Sequence, residues 1–138
     1  ELRARLLLEP SGGLAVVSRR GKPACTRLKV LAHTMRGRRA FSLMAIRIET
    51  GRTHQIRVHA AHVAQPVVGD GRYAAEEVAK ADLQWCPRHF LHRHRLAFRA
   101  SEGHMVEGLA GLPEDLAAAL QTLRPRPGGS EGGARRCL

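Results

Sequence analysis

The sequence has 138 residues, enough for one domain that buries roughly two thirds of its unfolded surface. It has 23 Lys and Arg against 12 Asp and Glu, a net charge of +11, spread along the whole chain. Three cysteines and no apolar run of transmembrane length exclude a disulfide-stapled domain and a membrane span. The charge favours a polyanionic partner such as nucleic acid, although a GC-rich genome produces the same arginine excess.

The first half of the chain is predicted to form strands. Apolar runs and polar-apolar alternation predict them at 6–9, 14–18, 25–31 and 41–50. The loop before the third strand carries Arg19, Arg20 and Lys22. A basic hairpin connection at 35–39 precedes the fourth strand.

The second half is predicted to contain helices and one strand. A helix is predicted to start near Thr53, whose side chain caps it by accepting from a backbone N–H, and its buried face is formed by Ile56, His59, Ala60 and Val63. Further elements are predicted as a helix at 74–83, a strand at 90–98 and a helix starting at Pro113. Because strands and helices mix without a regular βαβ rhythm, the predicted class is α/β (α+β) with a mixed, mainly antiparallel sheet.

The run from Thr50 to Tyr73, TGRTHQIRVHAAHVAQPVVGDGRY, concentrates cationic and imidazole side chains around a helix start. Gly51 suits a sharp turn, and Arg52 lies near the positive end of the helix dipole. Arg57 lies on the flank of the helix, where its guanidinium can reach a cleft. The residues by themselves indicate an anion or phosphate site.

This run resembles the third signature of pseudouridine synthases of the RluA type, G-R-x-H-Q-I-R-x-H followed by H-P-x-x-G-D-x-x-Y. The segments GKPACTRLKVL, FLHRHRLAF and LPEDL also resemble family segments, so the likeness covers residues 7–123. Departures occur at 64–66, where the family commonly has Gly-His-Pro, and at 99–100, where it has His-Pro. The resemblance implies the curved sheet and central cleft of that catalytic domain. It also implies isomerisation of uridine to pseudouridine in rRNA or tRNA without metal or cofactor.

The resemblance further implies that Arg57 pairs with the catalytic aspartate and keeps it ionised. The aspartate segment of the family, H-R-L-D, and its active-site tyrosine have no counterpart in this sequence. We therefore predict that residues 1–123 are the C-terminal half of the catalytic domain, incomplete at the N-terminal side and inactive alone. Residues 124–138 are predicted to be a disordered basic tail. The alternative is a non-catalytic RNA-binding or ribosome-associated protein with the same fold.

Other residues of the motif and its surroundings are predicted to serve the same site. Substrate or RNA contacts are expected from Arg52, His54, Gln55, Leu91, Arg19, Arg20 and Lys22. For His54 and Gln55 the alternative is hydrogen bonding at the helix start, and for Leu91 it is ordinary burial in a strand. Structural support is expected from Gly51, Thr53, Asp70 and Tyr73, with Asp70 as a further support for the arginines.

The remaining expectations concern partners. The spacing of Cys86, His89 and His92 suggests zinc, but a structural site needs four ligands and no second cysteine pair lies at a suitable distance. We therefore predict no metal. The predicted partner is RNA and not a membrane, with a monomeric chain in the cytoplasm, or in a mitochondrion or plastid, and not secreted. A second basic loop at 36–39 is expected to follow an RNA backbone, with solvated turns as the alternative.

Overall fold

The computed structural model describes residues 1–10 and 13–127. Its elements in chain order are β1 (Leu2–Leu8), β2 (Ala15–Val17), β3 (Lys22–Arg36), β4 (Arg39–Ile48), α1 (Gln55–His62), α2 (Glu76–Leu83), β5 (Arg95–Arg99), β6 (Met105–Leu109), α3 (Glu114–Gln121) and β7 (Arg124–Pro125). Within this part of the chain, no helix is long and apolar enough to cross a membrane.

The main sheet is organised around the long strand β3. Its order is β2-β1-β3-β4, every pair is antiparallel, and β7 also pairs with β3. The first residues of β3 pair with β1, and the rest pair with β4 across a bulge between Val30 and Ala32. Strands β5 and β6 form a separate antiparallel pair. The predicted class, α+β with mainly antiparallel sheets, is confirmed.

The described residues contain two small apolar cores, one between α1 and the strands and one around α3. The first contains Leu6, Ala15, Ala24 and Val58, with Tyr73 packed against it. The second contains Cys86, Leu116 and Ala119, flanked by Val68, Trp85, Phe90 and Leu112. Because Val58 belongs to α1, the first core fixes this helix against β1, β2 and β3. It thereby positions the motif that the sequence singled out.

Two predictions about the C-terminal part were wrong. The strand predicted at 90–98 begins only at Arg95, and it pairs with β6, which was not predicted. Disorder from residue 124 is contradicted at Arg124 and Pro125, which pair with β3, and the Arg126 N–H donates to the His33 carbonyl at 3.0 Å. Backbone hydrogen bonds therefore extend the sheet where the composition indicated a tail. The prediction for residues 128–138 lies outside the described residues.

Candidate functional site

Helix α1 begins at a buried glutamine. His54 is the N-cap residue in the left-handed conformation, with a φ of 51°, and no side chain caps the helix, so the predicted cap by Thr53 is wrong. Instead, Oε1 of Gln55 accepts from the Arg52 N–H at 3.1 Å and from the Thr50 hydroxyl at 2.7 Å. Gln55 is only 3% exposed. Of its two predicted roles, the structure shows hydrogen bonding at the helix start.

The other end of Gln55 connects α1 to the middle of the sheet. Its Nε2 donates to the Cys25 carbonyl at 2.9 Å and to the Thr26 hydroxyl at 3.0 Å. The same hydroxyl lies 2.9 Å from Nδ1 of His59. The buried residues of α1 are Gln55, Val58 and His59. Of the predicted buried face, His59 is buried, Ile56 and Ala60 are half-buried, and Val63 is 42% exposed. The hydrogen bonds of Gln55 with the sheet place Gln55 and Val58 inside instead.

Arg57 and Asp70 form a side-on bidentate ion pair. The Arg57 Nε lies 2.7 Å from Oδ2 of Asp70, and its Nη2 lies 2.5 Å from Oδ1. The Asp70 side chain is fully buried, whereas the Arg57 side chain keeps 13% of its surface exposed. The pair uses one edge of the guanidinium. Among residues 1–10 and 13–127, no hydrogen bond engages Nη1 or the second hydrogen of Nη2 at the opposite edge.

Asp70 is held as a carboxylate by its surroundings. Burial by itself raises the pKa of this group, but the Arg57 hydrogen bonds and the backbone N–H groups of Arg72 and Tyr73 outweigh it, so the net pKa is lowered. The hydrogen bonds that Arg57 donates to Asp70 in turn raise the pKa of Arg57. Both charges therefore persist at neutral pH, and the orientation of the guanidinium is fixed.

Tyr73 connects this ion pair to His54. The Arg57 guanidinium carbon lies 5.0 Å from the centre of the Tyr73 ring, a cation-π contact. The Tyr73 hydroxyl accepts from the Ala15 N–H at 2.9 Å and lies 2.9 Å from Nδ1 of His54. When the Tyr73 phenol donates to Nδ1, the neutral imidazole carries its proton on Nε2. Burial, followed by the charges of Arg57 and Arg72, lowers the pKa of His54, which favours this neutral form.

Of the other residues predicted to contact RNA, the basic ones are exposed and Leu91 is half-buried. Arg52 is exposed, and its Nε donates to the Pro23 carbonyl at 3.3 Å. Leu91 is half-buried in an irregular segment before β5. Arg19 and Arg20 are exposed in the turn after β2, and Lys22 is the exposed first residue of β3.

Sequence reasoning missed Asp82, which is 2% exposed at the end of α2. Its Oδ2 accepts from the Gly69 N–H at 3.0 Å, and its Oδ1 accepts from Nη1 of Arg39 at 2.7 Å. Asp82 thus holds the residue before Asp70 and the first residue of β4 together. No motif marked it, and its only sequence signal was an acidic residue on a short helix.

The chain resembles known RNA-modifying proteins. The family model described as RNA pseudouridylate synthase matches residues 12–62. The ribosomal large subunit pseudouridine synthase D of Haemophilus influenzae is 37% identical over 120 residues, covering 80% of this chain and 36% of that protein. The protein of the same name from Neisseria meningitidis is 38% identical over 122 residues, covering 83% and 32%. The chain therefore spans about a third of the length of these relatives.

A solved structure resembles the whole described fold. The human protein RNA pseudouridylate synthase domain containing 1 aligns with a TM-score of 0.73 at 25% sequence identity. The alignment covers 91% of this chain and 52% of that one. The sequence and structural matches thus agree on the same group of proteins.

Proposed function

Because the chain belongs to the RNA pseudouridylate synthase family, we propose that it forms part of an enzyme that isomerises uridine to pseudouridine in RNA. Its position in that enzyme is the arginine-bearing side of the catalytic cleft. The names of the bacterial relatives favour large-subunit ribosomal RNA over tRNA as the substrate. The observation that carries the proposal is the free edge of the Arg57 guanidinium beside the buried carboxylate of Asp70.

Arg57 acts in this proposal as the partner of a catalytic aspartate. Asp70 occupies the Nε and Nη2 edge, so a second carboxylate can bind the Nη1 and Nη2 edge without displacing it. The adjacent guanidinium then keeps that second carboxylate ionised, as a nucleophile or base requires. Asp70 serves as a positioning residue, since complete burial keeps its own oxygens away from any substrate.

The catalytic aspartate is proposed to come from polypeptide outside these 138 residues. The chain has three aspartates, and each already has a structural role. Asp70 and Asp82 are buried in hydrogen bonds, and Asp115 pairs with Arg88 at the start of α3. Apolar side chains of β5 and β6 also remain unusually exposed, among them Phe98 at 50% and Met105 at 60%. Such a surface supports a further segment packing on this fold.

His54 is proposed to present its Nε2 proton to the RNA. The Tyr73 hydroxyl fixes the imidazole, and Arg57 disfavours a second proton on it. A neutral N–H donor beside a guanidinium suits a phosphate oxygen or a carbonyl of the flipped base. Arg52, Arg19, Arg20, Lys22 and Leu91 remain proposed contacts with the RNA or the base, the basic ones supplying counter-charge to phosphates.

The test measures isomerisation directly. When C5 of uracil bonds to ribose it loses its hydrogen, so RNA tritiated at C5 of uridine releases tritium on turnover. We expect no release by the 138-residue chain, and release by the natural gene product extended upstream through the H-R-L-D segment. In that extended protein, Arg57→Lys should lower the rate on the order of 100-fold, because lysine cannot bind two carboxylates side by side.

Two results would contradict this proposal. Turnover by the 138-residue chain alone would remove the need for an external aspartate. Unchanged turnover of the extended protein after Arg57→Lys would remove the role of the guanidinium. Arg47→Lys provides the matched control, because Arg47 is exposed on β4 and has no ion pair within the described residues. If the upstream gene sequence has no such aspartate, the non-catalytic RNA-binding alternative is favoured.

A further inference from the structure

The end of the β3–β4 hairpin concentrates arginines from three segments of the chain. Arg36 and Arg39 face each other as the last pair of the ladder, and Arg38 lies in the turn between them. Strand β7 then adds Arg124, opposite Met35 on the other edge of β3, and Arg126 follows two residues later. Like charges this close destabilise a sheet unless something compensates them.

On one face of this hairpin end, contacts within the protein compensate the arginine charges. Arg36 lies 5.3 Å from the centre of the Trp85 ring, which belongs to the second core. Arg39 lies over Phe41 and pairs with the buried carboxylate of Asp82. Both arginines therefore anchor the hairpin to the segment at α2. The end of the hairpin is fixed and not a free arm.

The opposite face has no such compensation among residues 1–10 and 13–127. Opposed residues of an antiparallel pair share a face, so Arg124 lies on the face of Met35, away from Arg36. Arg126 falls on the same face because side chains alternate along a strand. Arg38, Arg124 and Arg126 are exposed, and none forms an ion pair within those residues. The face thus presents the guanidinium groups of Arg124 and Arg126 to solvent, and the exposed Arg38 lies in the adjacent turn.

We propose that the surface formed by Arg124 and Arg126 on this face, with Arg38 in the adjacent turn, binds the phosphate backbone of RNA through residues other than those of the Arg57 site. Arg124 and Arg126 are about 6.5 Å apart by strand geometry, which allows each to pair with its own phosphate. Arg124 and Arg126 lie on the face opposite Arg36 and Arg39, and it is Arg39 that contacts Asp82, the residue that holds Gly69 beside Asp70. In this proposal the surface holds RNA that flanks the uridine bound at Arg57. This proposal rests on the proposed function only for the choice of RNA as the polyanion.

The test is binding of a fluorescein-labelled, unstructured 20-nucleotide RNA to the 138-residue chain, measured by anisotropy across a salt series. Arg124→Gln with Arg126→Gln should lower the slope of log affinity against log salt by about 1.4, or about 0.7 per phosphate contact. The matched control is Lys29→Gln with Arg47→Gln, which removes the same charge from exposed positions in the middle of the same hairpin. Its slope should change by less than half as much.

An equal loss in the two double variants would mean that total charge governs affinity, and it would overturn the proposal. So would an unchanged slope in the Arg124 and Arg126 variant, or a loss of binding to phosphatidylglycerol vesicles with RNA binding unchanged. Equal melting temperatures of the variants establish that folding is not the cause. Since this readout is binding and not tritium release, its outcome is independent of whether uridine is isomerised.

Discussion

Two Arg–Asp pairs in this protein have the same side-on geometry and different surroundings. Arg57 and Asp70 join at 2.7 and 2.5 Å, and Arg88 and Asp115 join at 2.6 and 3.2 Å. In the first pair the side chains are 13% and 0% exposed, and in the second they are 38% and 36% exposed. The chemistry of the partners is therefore the same, and burial is what separates the regions.

The difference decides what each pair can do. Asp115 lies in the first turn of α3, where it also accepts from the Leu116 N–H, so that pair secures a helix start in contact with water. Water weakens its attraction and allows the side chains to move. Around Asp70 every oxygen contact is made by protein, which keeps Arg57 in one orientation. A fixed guanidinium with one open edge is suited to catalysis, and a solvated one is not.

Among the substitutions that test this comparison, Asp70→Asn is expected to cause the largest loss in the free energy of unfolding. It leaves the buried part of Arg57 without a counter-charge, and breaking a buried pair from one side costs about 3–5 kcal/mol. Urea denaturation should show this loss in the free energy of unfolding. A loss below about 1 kcal/mol would mean that water reaches the pair and that burial does not distinguish the regions.

Gly69→Ala tests the contact between the region of the Arg57–Asp70 pair and that of the Arg88–Asp115 pair. Gly69 has a φ of 71°, and an added Cβ would lie 2.8 Å from the Arg88 carbonyl oxygen. The strained backbone and the close contact together should cost about 1–3 kcal/mol, measured in the same urea titration. Gly37→Ala is the matched control, with a φ of 58° and open space around it. Equal losses in both variants would show that the contact with Arg88 contributes nothing.

The difference between the regions also explains what the sequence could and could not predict. The G-R-T-H-Q-I-R run correctly predicted a helix start beside an arginine, because these residues act over a few positions of chain. Periodicity predicted a buried His59 but not a buried Gln55, and it could not identify the hydrogen-bond partner of either residue. Their burial depends on Thr26, a partner about 30 residues away.

The elements that were missed depend on pairing and not on local preference. Strand β7 consists of Arg124 and Pro125, a composition typical of a tail, and forms because β3 offers an open edge. Asp82 lies on a short polar helix, and its importance comes from the Gly69 N–H and from Arg39. In each case the energy comes from satisfying a buried or backbone polar group, which a linear pattern does not show.

Acid should affect the α1 region before it affects the ion pair. His59 is 1% exposed, and burial, with a smaller effect of the charge on His62, lowers its pKa. Unfolding restores a pKa near 6.5, so the unfolded state binds more protons below that value. Stability is then complete above about pH 6.5 and falls on acidification, by at most about 1.4 kcal/mol per pH unit for one histidine.

The measurement is the free energy of unfolding in urea between pH 7.5 and 5. His59→Gln should remove much of the slope, whereas the same change at exposed His104 should not. A slope that survives His59→Gln unchanged would assign it to other groups. The lowered pKa of Asp70 takes effect below this range, since its contribution is present above about pH 4 and is lost as the pH falls through its folded value.

Asp115→Asn should have the smallest effect. Its hydrogen bonds with Arg88 lower the pKa of Asp115, but both side chains contact water, so most of the lost attraction is recovered by solvation. An asparagine oxygen can still accept from the Leu116 N–H. The change in unfolding free energy should lie near the error of a urea titration and vanish in 0.5 M salt, where screening is strong, whereas the loss in Asp70→Asn persists. A salt-resistant loss at Asp115 equal to that at Asp70 would show that side-on geometry, and not burial, sets the strength of an Arg–Asp pair in this fold.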